Sequence, residues 1–289
     1  MAVLLITGAN GQLGNEMRCI ADRDNINSYI FTDVEELDIT NFSDICNFVE
    51  IHKPDFIINC AAYTAVDKAE DDSEICAKIN TLAVDNLANA AKIANAKVIH
   101  VSTDYVYGGD ATMPYIESDT TNPKSVYGKT KLEGEIALAN ILPEQSITIR
   151  TSWLYSSFGR NFVKTMISLG KERESLNVVC DQRGTPTFAR DLANAIMSIV
   201  NSNKFESGIY NYSNEGECSW HEFACEIFKI ADIDCMVNAI TTDQYPTKAQ
   251  RPAYSVLDKS KIKKVYGLEI PEWRESLKDC IKLLNSNID

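Results

Sequence analysis

The sequence has few of the residues that build metal sites, disulfide frameworks or membrane spans. Its 289 residues include only three histidines, and none has a partner at metal-ligand spacing. Nine cysteines occur, but the number is odd and no Cys-x-x-Cys is present, so we expect reduced thiols. No apolar run approaches roughly 18 residues, and no signal-peptide pattern precedes the first apolar run. We therefore expect a protein of the cytoplasm, without a metal site and without a membrane partner.

Positive charge is also scarce. Lys and Arg number 28 against 41 Asp and Glu, which gives a formal net charge of −13. This balance argues against a general binder of nucleic acid or of anionic membranes, because both require a basic surface. Hydrophobic residues make up 45% and charged residues 24%, as in ordinary soluble globular proteins of one or two domains. An anionic small ligand is still compatible, because a helix N-terminus or a single arginine can bind phosphate locally.

A short apolar run at residues 2–7 leads directly into a glycine-rich turn at residues 8–14. The run has the character of a buried parallel strand, and the turn opens into a helical pattern of apolar residues. Glycines at such a turn let the backbone approach a pyrophosphate, which rests on the amide groups at the helix start. The alternative is a tight turn without a ligand. The predicted dinucleotide-binding residues of this turn are Gly8, Asn10, Gly11, Gln12, Leu13 and Gly14.

The second predicted strand, at residues 28–33, ends in an acidic residue. This residue, Asp33, lies 19 residues after Gly14. A carboxylate at this point can bind the ribose hydroxyls of NAD and would repel the additional phosphate of NADP. Asp38-Ile39 follows a few residues later and can flank the adenine or bind the ribose instead. The sequence therefore predicts NADH or NADPH as the cofactor, with a preference for NADH.

Small residues end the third predicted strand, at residues 55–63. Ala61 and Ala62 stand there, directly before Tyr63. Small side chains at the carboxyl end of a strand leave room for a cofactor to lie across it. We therefore assign these three residues to the cofactor site.

A polar loop and a long helix follow. The loop, at residues 64–70, begins with Thr64 and is expected to face the same site. The helix is predicted over residues 77–94, and it contains Asn80. This amide is expected either to bind a nearby backbone group of the site or to lie exposed on the surface.

The fourth predicted strand, at residues 97–102, ends with Ser102 and is followed by Thr103. Ligands in open parallel sheets bind at the carboxyl ends of the strands. Thr103 is therefore well positioned to donate a hydrogen bond to a substrate oxygen, although a threonine that only caps a turn is the alternative. His100 lies inside the apolar strand, and we expect a core histidine rather than a catalyst.

A Tyr-x-x-x-Lys pair follows in a segment that we predict to be helical. Tyr127 and Lys131 are four residues apart, so they share one face of the helix, and Pro123 is expected to set its first turn. Tyrosine ionises near pH 10, and a cation within a few ångströms lowers that pKa. Such a phenol can give a proton to a developing alkoxide. The pair alone is common on ordinary amphipathic helices, so its weight depends on the rest of the chain.

Strands and helices alternate up to residue 150, which predicts an α/β fold with a Rossmann-type doubly wound parallel sheet. We assign residues 1–150 to a dinucleotide-binding domain and return residues 177–202 to it. Residues 151–176 and 203–289 then form a smaller, mixed α/β substrate-binding lobe that is discontinuous in sequence.

The glycine turn, Ser102-Thr103 and Tyr127-x-x-x-Lys131, taken in this order, resemble the extended short-chain dehydrogenase/reductase family. The fuller resemblance is to the rhamnose branch of that family. In two places the sequence departs from it: Tyr63 stands where histidine is common, and Tyr107 stands where many relatives carry phenylalanine. The matching stretches span nearly the whole chain, at residues 7–14, 61–70, 102–107, 127–135, 150–155, 184–187 and 251–252.

The resemblance implies an NAD(P)H-dependent reductase that converts the C4 ketone of dTDP-4-dehydro-6-deoxy-L-mannose to dTDP-L-rhamnose. It implies that Tyr127 protonates the nascent C4 oxygen and that Thr103 polarises the ketone. Lys131 would lower the Tyr127 pKa and bind the nicotinamide ribose, beside Ser102. The substrate-side residues are Thr64, Val66, Thr103, Asp104, Tyr105, Trp153 and Arg251. A monomer or a homodimer is expected, and magnesium at a subunit contact is possible but has no supporting ligand spacing in the sequence.

Three alternatives stay open at this point. Another nucleotide-sugar 4-ketoreductase would differ only in the face to which hydride is delivered. A non-catalytic dinucleotide-binding regulatory subunit is the second, and the intact set of Thr103, Tyr127 and Lys131 argues against it. An epimerase or dehydratase is the third. A dehydratase would place an acid–base carboxylate pair directly after Thr103, whereas here Asp104 is followed by Tyr105.

Overall fold

A parallel sheet of six strands forms the centre of the computed structural model, which describes residues 1–286. In chain order the strands of the molecule are β1 (Val3–Thr7), β2 (Ser28–Thr32), β3 (Phe56–Asn59), β4 (Lys97–Thr103), β5 (Ser146–Thr151), β6 (Leu154–Tyr155), β7 (Ser175–Val179), β8 (Arg183–Gly184), β9 (Thr187–Phe188), β10 (Gly208–Asn211), β11 (Cys218–Ser219) and β12 (Met236–Ile240). The central sheet has the order β10-β5-β4-β3-β1-β2, and every pair in it is parallel.

Helices connect these strands. They are α1 (Gln12–Ala21), α2 (Phe42–His52), α3 (Val66–Ala69), α4 (Ser73–Ala77), α5 (Ala83–Ala94), α6 (Val126–Ile141), α7 (Phe162–Glu172), α8 (Ala189–Val200), α9 (Trp220–Ile230), α10 (Ser260–Tyr266) and α11 (Trp273–Ser286). A π-helical turn at Lys78–Leu82 joins α4 to α5, so the helix predicted over residues 77–94 begins earlier than expected. Within residues 1–286, no helix is both long enough and apolar enough to cross a bilayer.

Helices cover both faces of the central sheet. Because successive side chains of a strand point to opposite faces, each strand contributes to two cores. On β1, Leu4 and Ile6 pack into a core with α1 and α8, whereas Leu5 packs into a second core with α2, α5 and α6. The predicted doubly wound parallel α/β fold is confirmed.

The strand order reverses direction between β1 and β3. In open α/β sheets, ligands bind in the crevice outside the carboxyl ends of the strands at this point. The glycine turn leaves β1 there, and the small residues Ala61 and Ala62 leave β3 beside it. The topology thus puts the two predicted cofactor segments next to each other.

Two strand pairings cross the predicted domain boundary. Residues 203–289 were expected to form the second lobe, but β10 pairs with β5 as an edge strand of the central sheet. Residues 177–202 were expected to return to the first domain, and α8 does pack on the central sheet, but β7 pairs with β12 instead. These two pairings were not expected, because a short apolar run does not encode which strand it will pair with. The division into two lobes stays a prediction, and residues 287–289 lie outside the described residues.

Candidate active site

The glycine turn after β1 is held tightly against the chain that leaves β3. Gly8 has a φ of +64°, and a Cβ atom there would come within 2.6 Å of the Ala61 backbone. A Cβ atom on Gly14 would come within 2.5 Å of the Gly8 carbonyl oxygen. Larger residues at these two positions would therefore push the turn away from the sheet. Gly11 precedes α1, and no side chain of the described residues caps that helix, so its first amide groups are available to an anion.

A cavity of about 500 Å³ opens beside this turn. Lys78 lines it, together with several of the residues that the sequence assigned to the cofactor, which are Gly8, Gly11, Asp33, Asp38, Ile39, Ala61 and Ala62. Its volume is within the range of about 300–1,000 Å³ that is typical of ligand sites. An uncapped helix start, carboxylates for ribose hydroxyls and small residues over the sheet edge fit a nicotinamide dinucleotide.

Three residues of the turn have structural contacts that the sequence did not predict. The backbone N–H of Asn10 donates to the Asp33 carboxylate at 2.9 Å, which links the turn to the end of β2. Gln12 accepts a hydrogen bond from the Asn161 amide at 2.9 Å, and Leu13 is buried in the core under α1. Whether these residues also contact the cofactor stays a prediction.

Asn80 is buried inside the π-helical turn and binds the backbone of Tyr63. Its side-chain oxygen accepts from the Tyr63 N–H at 2.9 Å, and its nitrogen donates to the Tyr63 carbonyl at 3.1 Å. Of the two expectations for Asn80, the bond to a nearby backbone group is therefore confirmed. Ser102 is also buried, and within residues 1–286 its hydroxyl oxygen has no hydrogen-bond partner, so it can still bind a ligand.

Thr103 and Tyr127 come together at the carboxyl end of β4. Ser125 caps α6 by accepting from the Gly128 N–H at 3.1 Å. Pro123 lies upstream of this cap, so Ser125 rather than Pro123 sets the start of the helix. Burial raises the pKa of Tyr127 well above its ordinary value, and the adjacent Thr103 hydroxyl partly opposes that rise. The two hydroxyls can therefore act on one oxygen atom of a ligand.

The side chain of Lys131 reaches β4. Its Nζ atom donates to the Val101 carbonyl at 2.6 Å and lies 3.2 Å from Nε2 of His100. In this structure burial dominates and raises the Tyr127 pKa, so the lowering expected from Lys131 does not set the direction of the shift. Spacing along a helix identifies residues that share a face, but it does not fix where a long side chain ends. Burial also lowers the pKa of Lys131 itself, to about 8.

Asp104 is a buried carboxyl group directly behind Thr103. It accepts a hydrogen bond from the Thr103 hydroxyl at 3.0 Å. Burial raises the pKa of Asp104 to about 6, although the hydroxyls of Ser255 and Thr103 oppose this shift. The carboxyl group thus orients Thr103 from inside the protein.

Arg251 reaches this region from a loop that is remote in sequence. Its guanidinium donates to the Tyr105 hydroxyl at 3.2 Å and to the Asp67 carboxylate at 2.6 Å. Tyr105 packs edge-on against Tyr127, with ring centroids 5.6 Å apart, and Val66 belongs to the same apolar cluster. Four predicted residues are therefore brought together. The sequence analysis missed Asp67 as the partner of Arg251, since the two are 184 residues apart.

A second cavity, of about 680 Å³, is lined largely by α7 and β7, and Arg251 also lines it. Trp220 lines it. The predicted substrate residue Trp153 is absent from its lining and instead stacks on Trp220, with ring centroids 3.6 Å apart. Thr64 is exposed at the start of its loop. Trp220 had no signal in the sequence, because it is an ordinary aromatic residue in the first turn of a helix.

Metal ligands are not grouped in the described part of the chain. Within residues 1–286, no three His, Cys, Asp or Glu side chains lie close enough together to hold a metal ion. Whether a second subunit would add ligands is a separate question, and the expectation of magnesium stays untested.

Comparison with known proteins identifies the family. Residues 1–286 match the family model of the RmlD substrate binding domain. The chain is 42% identical to a dTDP-4-dehydrorhamnose reductase from Aggregatibacter actinomycetemcomitans, over 96% of this chain and 98% of that protein. The expected membership of the rhamnose branch is thereby confirmed.

Solved structures agree with this match. A dTDP-4-dehydrorhamnose reductase from Clostridium acetobutylicum is similar with a TM-score of 0.94 and 45% identity, over 98% of this chain and 99% of the other. A dTDP-4-dehydrorhamnose reductase from Bacillus anthracis, in complex with NADP, is similar with a TM-score of 0.93 and 38% identity, over the same shares of the two chains. The chain therefore belongs to the family of dTDP-4-dehydrorhamnose reductases that contain the RmlD substrate binding domain.

Proposed function

We propose that this chain reduces the C4 ketone of dTDP-4-dehydro-6-deoxy-L-mannose and forms dTDP-L-rhamnose, the final step of dTDP-rhamnose synthesis. The main support is the meeting of the Thr103 and Tyr127 hydroxyls at the end of β4, in a chain whose whole length resembles reductases of this activity. A bound nicotinamide dinucleotide supplies the hydride in this reaction.

The proton comes from Tyr127 in this proposal. Its raised pKa keeps the phenol protonated at neutral pH, which is the state that a proton donor requires. In this structure the Thr103 hydroxyl donates its one proton to Asp104 at 3.0 Å. When the substrate binds, this proton turns from Asp104 to the C4 oxygen. As negative charge develops on the oxygen, both hydroxyls stabilise it more strongly than they stabilise the neutral ketone.

Lys131, Ser102 and the glycine turn hold the cofactor in the proposed complex. On the other side of Tyr127, Arg251 and Tyr105 bind the nucleotide sugar, with the guanidinium directed at a phosphate group. The half-buried position of Arg251 suits this role, because the arginine can exchange its Asp67 partner for a ligand.

We infer a preference for NADH. Asp33 and Asp38 both line the cofactor cavity, and among its described lining residues Lys78 is the one cationic side chain. Two carboxylates against one ammonium disfavour the additional phosphate of NADPH.

The ratio of kcat/KM for NADH to kcat/KM for NADPH tests this preference. Asp33→Ser should move the ratio toward NADPH by about tenfold if Asp33 is the ribose partner, and Asp38→Ser is the matched variant for the alternative. Equal values of kcat/KM for NADH and NADPH in the wild-type protein would contradict the preference.

Product analysis tests the reaction itself. The protein is incubated with NADH or NADPH and the 4-keto sugar nucleotide, cofactor oxidation is followed by absorbance, and the product is identified by NMR. We expect oxidation of one cofactor per dTDP-L-rhamnose formed. Oxidation with a different sugar as the product would favour the alternative of another nucleotide-sugar 4-ketoreductase, and absence of oxidation would contradict the proposed activity.

A further inference from the structure

A chain of buried polar side chains runs behind Lys131, from β1 through β3 to β4. Asn59 and His100 form its centre, and they are 1% and 0% exposed. Nδ2 of Asn59 lies 3.0 Å from Nδ1 of His100, and Nε2 of His100 lies 3.2 Å from Nζ of Lys131. The proposed reaction gives no role to either side chain. Polar groups this deep in an apolar sheet are costly unless each donor meets an acceptor.

Backbone geometry fixes the orientation of the Asn59 amide. Its Oδ1 atom accepts from the Ala61 N–H at 3.1 Å and from the Thr7 hydroxyl at 2.8 Å. A backbone N–H can only donate, so the amide oxygen must face Ala61 and the amide nitrogen must face His100. The amide nitrogen can also only donate. Nδ1 of His100 is therefore an acceptor and carries no proton.

The proton of the neutral His100 ring then lies on Nε2, directed at Lys131. Burial lowers the pKa of His100 well below its ordinary value, so the ring is neutral at ordinary pH. An ammonium group has three donors and no lone pair, so it cannot accept from this N–H. An uncharged amine can accept from it and still donate to the Val101 carbonyl, which is 2.6 Å away.

We propose that His100, oriented by Asn59, is a positioning residue that holds Lys131 as an uncharged amine for as long as the two side chains are in contact. Lys131 then becomes fully charged only when it leaves this contact. Its role toward the cofactor rests on the proposed function, whereas the hydrogen-bond chain rests on the side chains alone. His100, in the middle of β4, thus controls the charge of the lysine rather than only filling the core.

Other titratable groups face Lys131 from its own helix and from α4. Burial favours the uncharged amine, and the charges of Glu135 and Cys76 oppose this by favouring the ammonium. Glu135 lies on the same helix, but its carboxylate is bound by Arg150 at 2.6 Å. Cys76 is buried, and burial raises the pKa of its thiol, so it carries little charge at neutral pH. Burial brings the pKa of Lys131 only to about 8, so in this proposal the uncharged amine at neutral pH depends on the contact with His100.

The tautomer of His100 is the first test, measured by NMR on cofactor-free protein with ¹⁵N-labelled histidine. The sequence contains only three histidines, so the variants His52→Gln and His221→Gln assign the remaining signals to His100. We expect a proton on Nε2 and none on Nδ1 between about pH 6 and pH 9. A proton on Nδ1, or on both nitrogens, would overturn the proposal. No variant of His100, substrate or cofactor is needed, so this result is independent of the proposed reaction.

The titration of Lys131 is the second test, followed through its ¹³C-labelled side chain. In Asn59→Asp the new carboxylate accepts from Nδ1–H, so Nε2 becomes an acceptor for the ammonium. We expect the midpoint to rise by about one pH unit or more. In Asn59→Asp combined with His100→Phe the ammonium loses its Nε2 acceptor, so part of that rise should disappear, which separates the tautomer from the added charge. His52→Gln, on the exposed end of α2, is the matched control and leaves the midpoint unchanged. An unmoved midpoint in Asn59→Asp, or the full rise in the double variant, would overturn the proposal.

Discussion

Two arginine–carboxylate pairs hold the two sides of the candidate active site, and they differ in burial rather than in length. Arg150 and Glu135 are 2.6 Å apart under α6, and both side chains are 2% exposed. Arg251 and Asp67 are also 2.6 Å apart, but their side chains are 27% and 43% exposed. The interaction between two charges grows as water is excluded, so equal distances do not mean equal strength.

This difference separates a fixed side of the site from an adjustable one. On the fixed side, α6 carries Tyr127 and Lys131, and the Glu135–Arg150 pair ties that helix to β5. On the adjustable side, the half-exposed Arg251 belongs to a loop and can change partners at low cost. A reductase needs both, because the proton donor must be positioned before the substrate arrives, whereas the substrate must still be able to enter.

Removal of the Tyr127 hydroxyl from the fixed side should have the largest effect, and this effect is on turnover. Tyr127→Phe keeps the ring and its packing on Tyr105, but it removes the proton donor. We expect turnover to fall by about 10²- to 10⁴-fold, with binding of the cofactor retained. Steady-state turnover and cofactor binding by fluorescence check this. Tyr105→Phe is the matched control and should lose much less turnover. Unchanged turnover in Tyr127→Phe would exclude a role as proton donor.

Breaking the buried pair should destabilise the fold strongly. Glu135→Gln leaves the Arg150 guanidinium buried without its counter-charge, for which we expect a loss of about 3–5 kcal/mol in the free energy of unfolding. Urea denaturation measures it. Glu133→Gln, exposed on the same helix, is the control and should change stability by less than about 1 kcal/mol. Similar losses in both variants would mean that burial does not distinguish these carboxylates.

Asp104, next to Thr103, makes the free energy of unfolding depend on pH. Its folded-state pKa of about 6 is above the ordinary value of 3.8, so folding favours the protonated carboxyl. Its contribution to stability is present below about pH 4 and is lost as the pH rises through about 6. Asp104→Asn should therefore be more stable than wild type at pH 8, by on the order of 3 kcal/mol, with the difference shrinking toward pH 4. Denaturation at several pH values checks this, and a difference independent of pH would contradict it.

The fixed side was largely predictable from the sequence, because its signals are local. The glycine turn, Thr103 after β4 and the Tyr127–Lys131 spacing are each written within a few residues, and the first and second lie at strand ends. Such patterns follow from strand and helix geometry alone. The local patterns did not predict those properties of the site that depend on the interior of the molecule. Burial dominates the shift of the Tyr127 pKa, and the Lys131 amine contacts His100 and the Val101 carbonyl of β4.

The adjustable side was less predictable, because its contacts join segments that are far apart in sequence. Asp67 was assigned only to a polar loop, and its pairing with Arg251 spans 184 residues. The pairing of β10 with β5 and of β7 with β12 was not predicted, for the same reason. A short apolar run reports that a strand is buried, whereas its partner depends on tertiary contacts that no local pattern contains.

The weaker pair should matter for binding rather than for folding. Asp67→Asn removes a half-exposed charge, so we expect a loss of less than about 1 kcal/mol in stability, well below that of Glu135→Gln. It also frees Arg251 from a competing carboxylate, and if that guanidinium binds the substrate phosphate, KM for the nucleotide sugar should fall by a few-fold while kcat changes little. Arg251→Lys should raise the same KM by about tenfold, because an ammonium loses the bidentate geometry. Denaturation and steady-state kinetics measure both quantities. A large stability loss in Asp67→Asn would remove the distinction between the two sides, since a half-exposed pair would then hold the fold as firmly as a buried one.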